Sequence, residues 1–192
     1  DLRELSPWSA VQAAFFHSVS SRTAGFNAVD LSSLRPSSLM LTDFLMFIGG
    51  GSGGTAGGVK VTTAAVLVAV LIAEVRGDEQ LLVAGRRIPG RIVRQAMAVF
   101  MMAFLIVAGS IMGLQLLLPQ YHSHQITFEV ISAFATVGLT TGITPDLPDF
   151  ARIWLVVLMY VGRIGPITVV AALAARTNQR LYSFPVERPF IG

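Results

Sequence analysis

Apolar residues in this chain come in long blocks instead of alternating with polar ones, and residues 61–73, 95–118 and 153–162 carry no charge. A helix needs about 20 mostly apolar residues to cross a bilayer core of ~30 Å. Gln95–Leu118 and Ile153–Ala175, the latter flanked by Arg152 and Arg176, supply that length and predict membrane helices over 92–118 and 150–176. The stretch Leu39–Ala73 is too long for one crossing, since its 35 residues would reach about 52 Å at 1.5 Å per residue. Its middle reads Gly49-Gly50-Gly51-Ser52-Gly53-Gly54-Thr55-Ala56-Gly57-Gly58, and each glycine costs a helix about 1 kcal/mol relative to alanine. The expectation is a helix broken at membrane depth, where loose backbone must be shielded by protein or line a wet cavity. Ile126–Val137, twelve residues, is too short to cross and suits a re-entrant helix over 125–136.

Composition agrees with lipid as the main solvent: 53% of the 192 residues are hydrophobic and 13% charged, against about 25% charged in soluble domains. Without cysteine, disulfide and Cys–zinc frameworks are excluded. The net charge of +3 resides almost wholly in arginines placed between the apolar runs, a pattern of membrane orientation more than of nucleic-acid binding. Arg76, Arg86, Arg87, Arg91 and Arg94 place the 76–94 linker in the cytoplasm, and Arg176, Arg180 and Arg188 place the C-terminal tail there too.

The sequence also repeats itself at an offset of 113 residues without a gap. Gln12 falls on Gln125, Phe15 on Phe128, Thr23 on Thr136, Gly25 on Gly138, Leu45 on Leu158, Gly49 on Gly162 and Thr55 on Thr168. Each copy reads short helix, Thr-apolar-Gly turn, loop, membrane helix, which predicts two copies of one structural unit. The counterpart of the 95–118 helix would lie before residue 1, so the chain is expected to belong to a longer one. In the first copy Ser6 and Pro7 open a short helix that ends near Ser21. The turns that follow are Thr23-Ala24-Gly25-Phe26-Asn27 and Thr136-Val137-Gly138-Leu139-Thr140. Glycine after Thr-apolar admits backbone angles closed to other residues, so successive carbonyls can face one axis and replace the water shell of K⁺. The negative end of each short helix dipole favours a cation at the same place.

The stretch Ser21–Asn27, the loop Gly49–Lys60, the segment Thr136–Gly142 and the run Gly162-Arg163-Ile164-Gly165-Pro166 resemble the Trk/Ktr/HKT superfamily of potassium transporters. The linker Arg86-Arg87-Ile88-Pro89 and the ending Ile191-Gly192 are most similar to the Ktr-type membrane subunit. The resemblance implies an all-α multi-span membrane protein built from helix–pore-loop–helix repeats related to potassium channels. Residues 1–76 would be the third repeat, with a broken second helix and an intramembrane loop at 49–60; residues 77–192 would hold the cytoplasmic linker, the complete fourth repeat and the tail. It further implies K⁺ as the transported ion, Na⁺ as an activator, a homodimer in the cell membrane, and a cytosolic nucleotide-binding ring through which alone a nucleotide acts. No bond is made or broken, so no enzyme activity is expected.

On this reading K⁺ binds the backbone of Thr23, Ala24, Gly25, Thr136, Val137 and Gly138, while Gly49–Gly58, Lys60 and Arg163 form a gate beneath. Arg163 falls near the centre of Ile153–Ala175, where an unshielded charge costs about 2.5–3.5 kcal/mol. It therefore faces the pore, or else pairs with Asp43 or Glu129. Lys60, the one lysine, either snorkels or holds the loop. Arg22 is expected to brace the first turn. Trp8, Tyr121 and Trp154 are expected to anchor at the membrane interface, and Asp146 and Asp149 to sit in a solvated loop. The glycine loop also matches a dinucleotide fingerprint, but its flanks are membrane helices and not a βαβ unit. Gly50-Gly51-Ser52-Gly53 matches an intramembrane serine protease with Ser52 as nucleophile, yet no histidine lies on 153–175 to serve as base. A non-conducting scaffold subunit is the remaining alternative.

Overall fold

Proline stands at the start of four of the described α-helices, and a serine caps one of them. Pro7 opens α1 (Pro7–Ser20), and the Ser6 hydroxyl accepts from the Ser9 amide at 3.3 Å, taking up one of the donors that a helix start leaves unpaired. Pro36 opens α2 (Pro36–Phe47). The computed structural model describes residues 6–27, 31, 34–51, 56–77, 81–83 and 85–165.

The glycine run interrupts the chain where the helix cost predicts. α2 stops at Phe47 and α3 (Val61–Arg76) begins after Lys60. α3 closes on Gly77 in the left-handed conformation (φ 71°), the usual helix C-terminal signal. A two-residue hairpin follows, β1 (Leu82–Val83) paired antiparallel with β2 (Arg86–Arg87), turning at Gly85 with φ 74°. This small ribbon in the arginine linker was not anticipated by an all-α reading, and it joins α3 to α4 (Gly90–Leu117). Among the described residues α4 is the one helix long and apolar enough to cross a membrane.

α5 (Ser123–Phe134) lies at the centre of the molecule, with Ile126 and every residue from Phe128 to Phe134 buried. α2, α4 and α6 (Asp149–Ile164) enclose it. Leu39 and Met46 of α2, Val107 and Leu114 of α4, and Leu155 and Leu158 of α6 form one core with Phe128, Val130 and Phe134. Pro36 and Asp149, which open α2 and α6, stand 113 residues apart, the offset of the repeat. Large apolar side chains stay exposed on α1 (Trp8 and Phe15, each 71%) and on α3 (Leu71, Val75).

The helix expected over 150–176 is shorter than that. α6 ends at Ile164 because Gly165 takes φ 92°, and Pro166 follows it without an amide hydrogen to continue the ladder. Arg163 therefore occupies the last turn of α6, exposed, and not the middle of the helix. Residues 166–176 and the tail lie outside the described residues. Two of the expected interface anchors are engaged within the protein. Trp154 donates its indole N–H to Ser110 Oγ on α4 at 3.2 Å, and Tyr121 donates its hydroxyl to the Asp146 carbonyl at 2.9 Å.

Candidate functional site

Each short helix ends by folding the next few amides back onto its own carbonyls. After α1 the amides of Ala24 and Gly25 both donate to Ser20 O at 3.1 Å. After α5 the amide of Thr136 donates to Ala133 O at 3.0 Å, and that of Val137 to Ser132 O at 2.9 Å. A trans peptide holds its N–H and C=O on opposite sides, so the carbonyls of Thr23, Ala24, Ala135 and Thr136 are turned away from the helix ends. Thr23 (φ 75°) and Thr136 (φ 54°) are left-handed, as are Gly25 (φ 73°) and Gly138 (φ 89°), whereas Ala24 and Val137 between them are not. A β-branched residue in that region is strained, which marks a conformation imposed by its surroundings. In both turns the handedness thus alternates over Thr-x-Gly.

The outgoing limbs are pinned from behind. Ser20 Oγ donates to Phe26 O at 2.7 Å, and Ser132 Oγ donates to Leu139 O at 2.6 Å. Those two carbonyls are thereby held by the short helices, and the ones turned away from the helix ends, at Thr23, Ala24, Ala135 and Thr136, lie before them. Sequence reading missed both serines; each lies in the last turn of its helix, but they are not at equivalent repeat positions.

The two turns meet. A Cβ on Gly25 would run into the carbonyl oxygen of Val137, so glycine is required there for close approach as well as for its backbone angle. The interrupted region packs against the second turn: a Cβ on Gly57 would lie 2.6 Å from Thr136 Oγ1 and 2.9 Å from Ala135 O. A Cβ on Gly58 (φ 70°) would lie 3.3 Å from Ala135 Cα and Cβ. The region is tied into a backbone clasp, with Gly49 N donating to Val59 O at 2.8 Å, Val59 N to Phe47 O at 3.2 Å and Val61 N to Gly50 O at 3.2 Å. Lys60 Nζ donates to Ala56 O, so this lysine holds the loop. Thr136 Oγ1 is buried and has no hydrogen-bond partner among the described residues.

Gly25, Thr136–Gly138 and Gly57–Lys60 are thus assembled in one place. Phe26, Asn27 and Gly51 are exposed, and Ser52, Gly53, Gly54 and Thr55 lie outside the described residues. Arg163 follows Gly162, which sits on the Phe134 carbonyl so closely that no side chain would fit. Glu129 is bonded to Thr140, Thr141 and Thr144, and Asp43 is buried with Oδ1 unpartnered among the described residues. Arg22 is exposed. Asp149 forms a surface ion pair with Arg152 at 3.5 Å, of small energetic weight.

Comparison with known proteins identifies the family of this chain. The TrkH family model, described as "Cation transport protein", matches residues 3–182. The chain is 41% identical over 180 residues to "Ktr system potassium uptake protein B" of Bacillus subtilis, covering 94% of this chain and 40% of that protein. It is 39% identical over 183 residues to "Potassium/sodium uptake protein NtpJ" of Enterococcus hirae, covering 93% and 41%. The crystal structure of the potassium transporter TrkH from Vibrio parahaemolyticus superimposes with TM-score 0.67 at 27% identity, covering 88% of this chain and 38% of that one. The chain therefore spans about two fifths of the length of these curated relatives. They are transporters by name, not enzymes. With a family model matched along nearly its whole length, the chain belongs to the TrkH family of cation transport proteins.

Proposed function

We propose that this chain supplies two ion-lining segments of a potassium uptake pathway in the cell membrane. The observation that carries the proposal is the meeting of two Thr-x-Gly turns of alternating handedness, with Gly25 packed against the Val137 carbonyl. Carbonyls freed from the helix ends offer a dehydrated K⁺ the oxygens it loses with its water shell, and the C-terminal dipoles of α1 and α5 add a negative field. Thr136 Oγ1, buried and unpartnered among the described residues, adds an oxygen at the inner end. The units are helix–pore-loop–helix repeats, and in a chain of the relatives' length further repeats complete the ring. The exposed apolar faces of α1 and α3 then meet lipid or those repeats.

The Gly49–Lys60 loop lies against Ala135 and Thr136 and acts as the gate on this reading. Arg163, next to the glycine that touches the end of α5, contributes a cationic barrier on the same side. Sodium activation, a homodimer, regulation by a cytosolic nucleotide-binding ring and a cytoplasmic tail belong to the proposal for the complete protein. The test is Gly25→Ser and Gly138→Ser in the full-length chain. Each forces a side chain into left-handed backbone at roughly 1–2 kcal/mol and should lower the preference for K⁺ over Na⁺ in uptake. An unchanged preference in both refutes the filter and leaves the scaffold reading; cleavage of a membrane substrate that is lost in Ser52→Ala would support the protease.

A further inference from the structure

We propose that Glu129 is a positioning residue that fixes the outgoing limb of the second turn and thereby sets ion preference; this rests on Thr136–Gly138 lining the ion. Glu129 sits in the middle of α5, 5% exposed. Its Oε1 accepts from Thr140 Oγ1 at 2.6 Å, Thr141 N at 2.9 Å and Thr141 Oγ1 at 3.2 Å, and its Oε2 accepts from Thr144 Oγ1 at 2.8 Å. All four partners are donors, which suits a group that as carboxylate only accepts, and such charge-assisted bonds are the strong ones. Thr140 Oγ1 also accepts from Gly142 N at 2.9 Å, so the backbone is caught on both sides of the clamp.

One turn further along the same helix Ser132 holds Leu139 O. Together the two side chains tie the chain to α5 from Leu139 to Thr144, immediately after Gly138. Among the described residues the first turn has no comparable carboxyl clamp. The repeat places Phe16 at the position of Glu129, Asn27 at that of Thr140 and Leu31 at that of Thr144. Its outgoing limb is held by Ser20. The two halves of the ion site are therefore braced unequally, and the geometry of Val137 and Gly138 depends on a carboxyl that touches no ion. If the brace is removed, the carbonyl separations are free to adapt to a smaller cation.

The experiment measures K⁺ uptake and its inhibition by Na⁺ in cells expressing the full-length protein, normalised to protein in the membrane. Glu129→Leu removes all four acceptor bonds and should lower the K⁺-over-Na⁺ preference about tenfold, equivalent to ~1.4 kcal/mol. Glu129→Gln keeps one acceptor oxygen and an amide able to donate to Thr144 Oγ1, and should retain most of the preference. Thr144→Val deletes the contacts of a half-buried hydroxyl with Glu129 Oε2 and Thr140 Oγ1 while leaving the carboxyl and its other bonds in place, and should give an intermediate loss; it decides the matter alone if Glu129→Leu does not reach the membrane. A purely structural role predicts reduced protein with normal preference per molecule, and that outcome, or wild-type preference in Thr144→Val and every Glu129 variant that folds, overturns the proposal. Gly138→Ser is measured alongside. If it alters preference and the brace variants do not, only this inference fails; if it too is silent, the filter reading fails.

Discussion

Gly57→Ala isolates the contact between the interrupted region and the second Thr-x-Gly turn. Gly57 does not have a positive φ, so the added methyl brings no backbone strain and acts by volume alone. It would stand 2.6 Å from Thr136 Oγ1, and 2.9 Å from both Ala135 O and Thr136 Cγ2. Ordinary contact begins near 3.5 Å, so the atoms must separate by roughly 0.5–1 Å. Ala135 is fully buried and its amide donates to Ile131 O at 2.8 Å, which leaves the loop as the part that gives way. Overpacking of this size costs about 1–3 kcal/mol. If the docked loop is the closed gate, that cost falls on the closed state alone and shifts the open-to-closed ratio about 5- to 150-fold. The assay is K⁺ flux per molecule of full-length protein reconstituted in vesicles, and the expected result is increased flux. Gly109→Ala on α4, where a Cβ meets nothing within 4 Å, is the control and should behave as wild type. Wild-type flux from a normally folded Gly57→Ala protein refutes the idea that loop and turn are mechanically coupled.

Three further substitutions probe separate contacts. Gly162→Ala drives a methyl into the Phe134 carbonyl; α6 must retreat from α5, and thermal unfolding of the purified protein should show a loss of at least about 2 kcal/mol, in the upper range for overpacking. Lys60→Met removes the bond to Ala56 O, worth roughly 1.5 kcal/mol for a half-exposed charged donor, and hydrogen exchange of residues 56–60 should accelerate about tenfold with an increase in flux. Ser132→Ala leaves Leu139 O without its buried donor, at about 1–3 kcal/mol, and should weaken K⁺ preference more than Ser20→Ala, since Ser20 acts on the more exposed limb at Phe26.

Features governed by local backbone chemistry were legible in the sequence. The Ser6–Pro7 start of α1, the break between Phe47 and Val61, and the two Thr-x-Gly turns each follow from the conformational limits of proline and glycine. The end of α6 was overlooked for an instructive reason. Hydropathy continues through Gly165 and Pro166, but a left-handed glycine followed by a residue without an amide hydrogen stops a helix whatever its hydrophobicity. That one misreading placed Arg163 in the middle of a helix and not in its last turn. The serine and glutamate braces were invisible because they link a helix to residues 6–15 positions downstream, and which helical face meets the returning chain depends on packing. Gly162 was recognisable as a repeat match to Gly49, but not that it lies against the Phe134 carbonyl, since that is a tertiary approach between two helices.

The central claim, that carbonyls of Thr23–Gly25 and Thr136–Gly138 bind the transported ion, is tested most directly by a crystal structure of the full-length protein with Rb⁺ in place of K⁺, read by anomalous scattering. The expected result is a peak between the two turns, within coordination distance of carbonyl oxygens from both segments and weakened when Na⁺ replaces Rb⁺. A peak confined to another part of the molecule, or coordination by side chains with these carbonyls turned elsewhere, would contradict it.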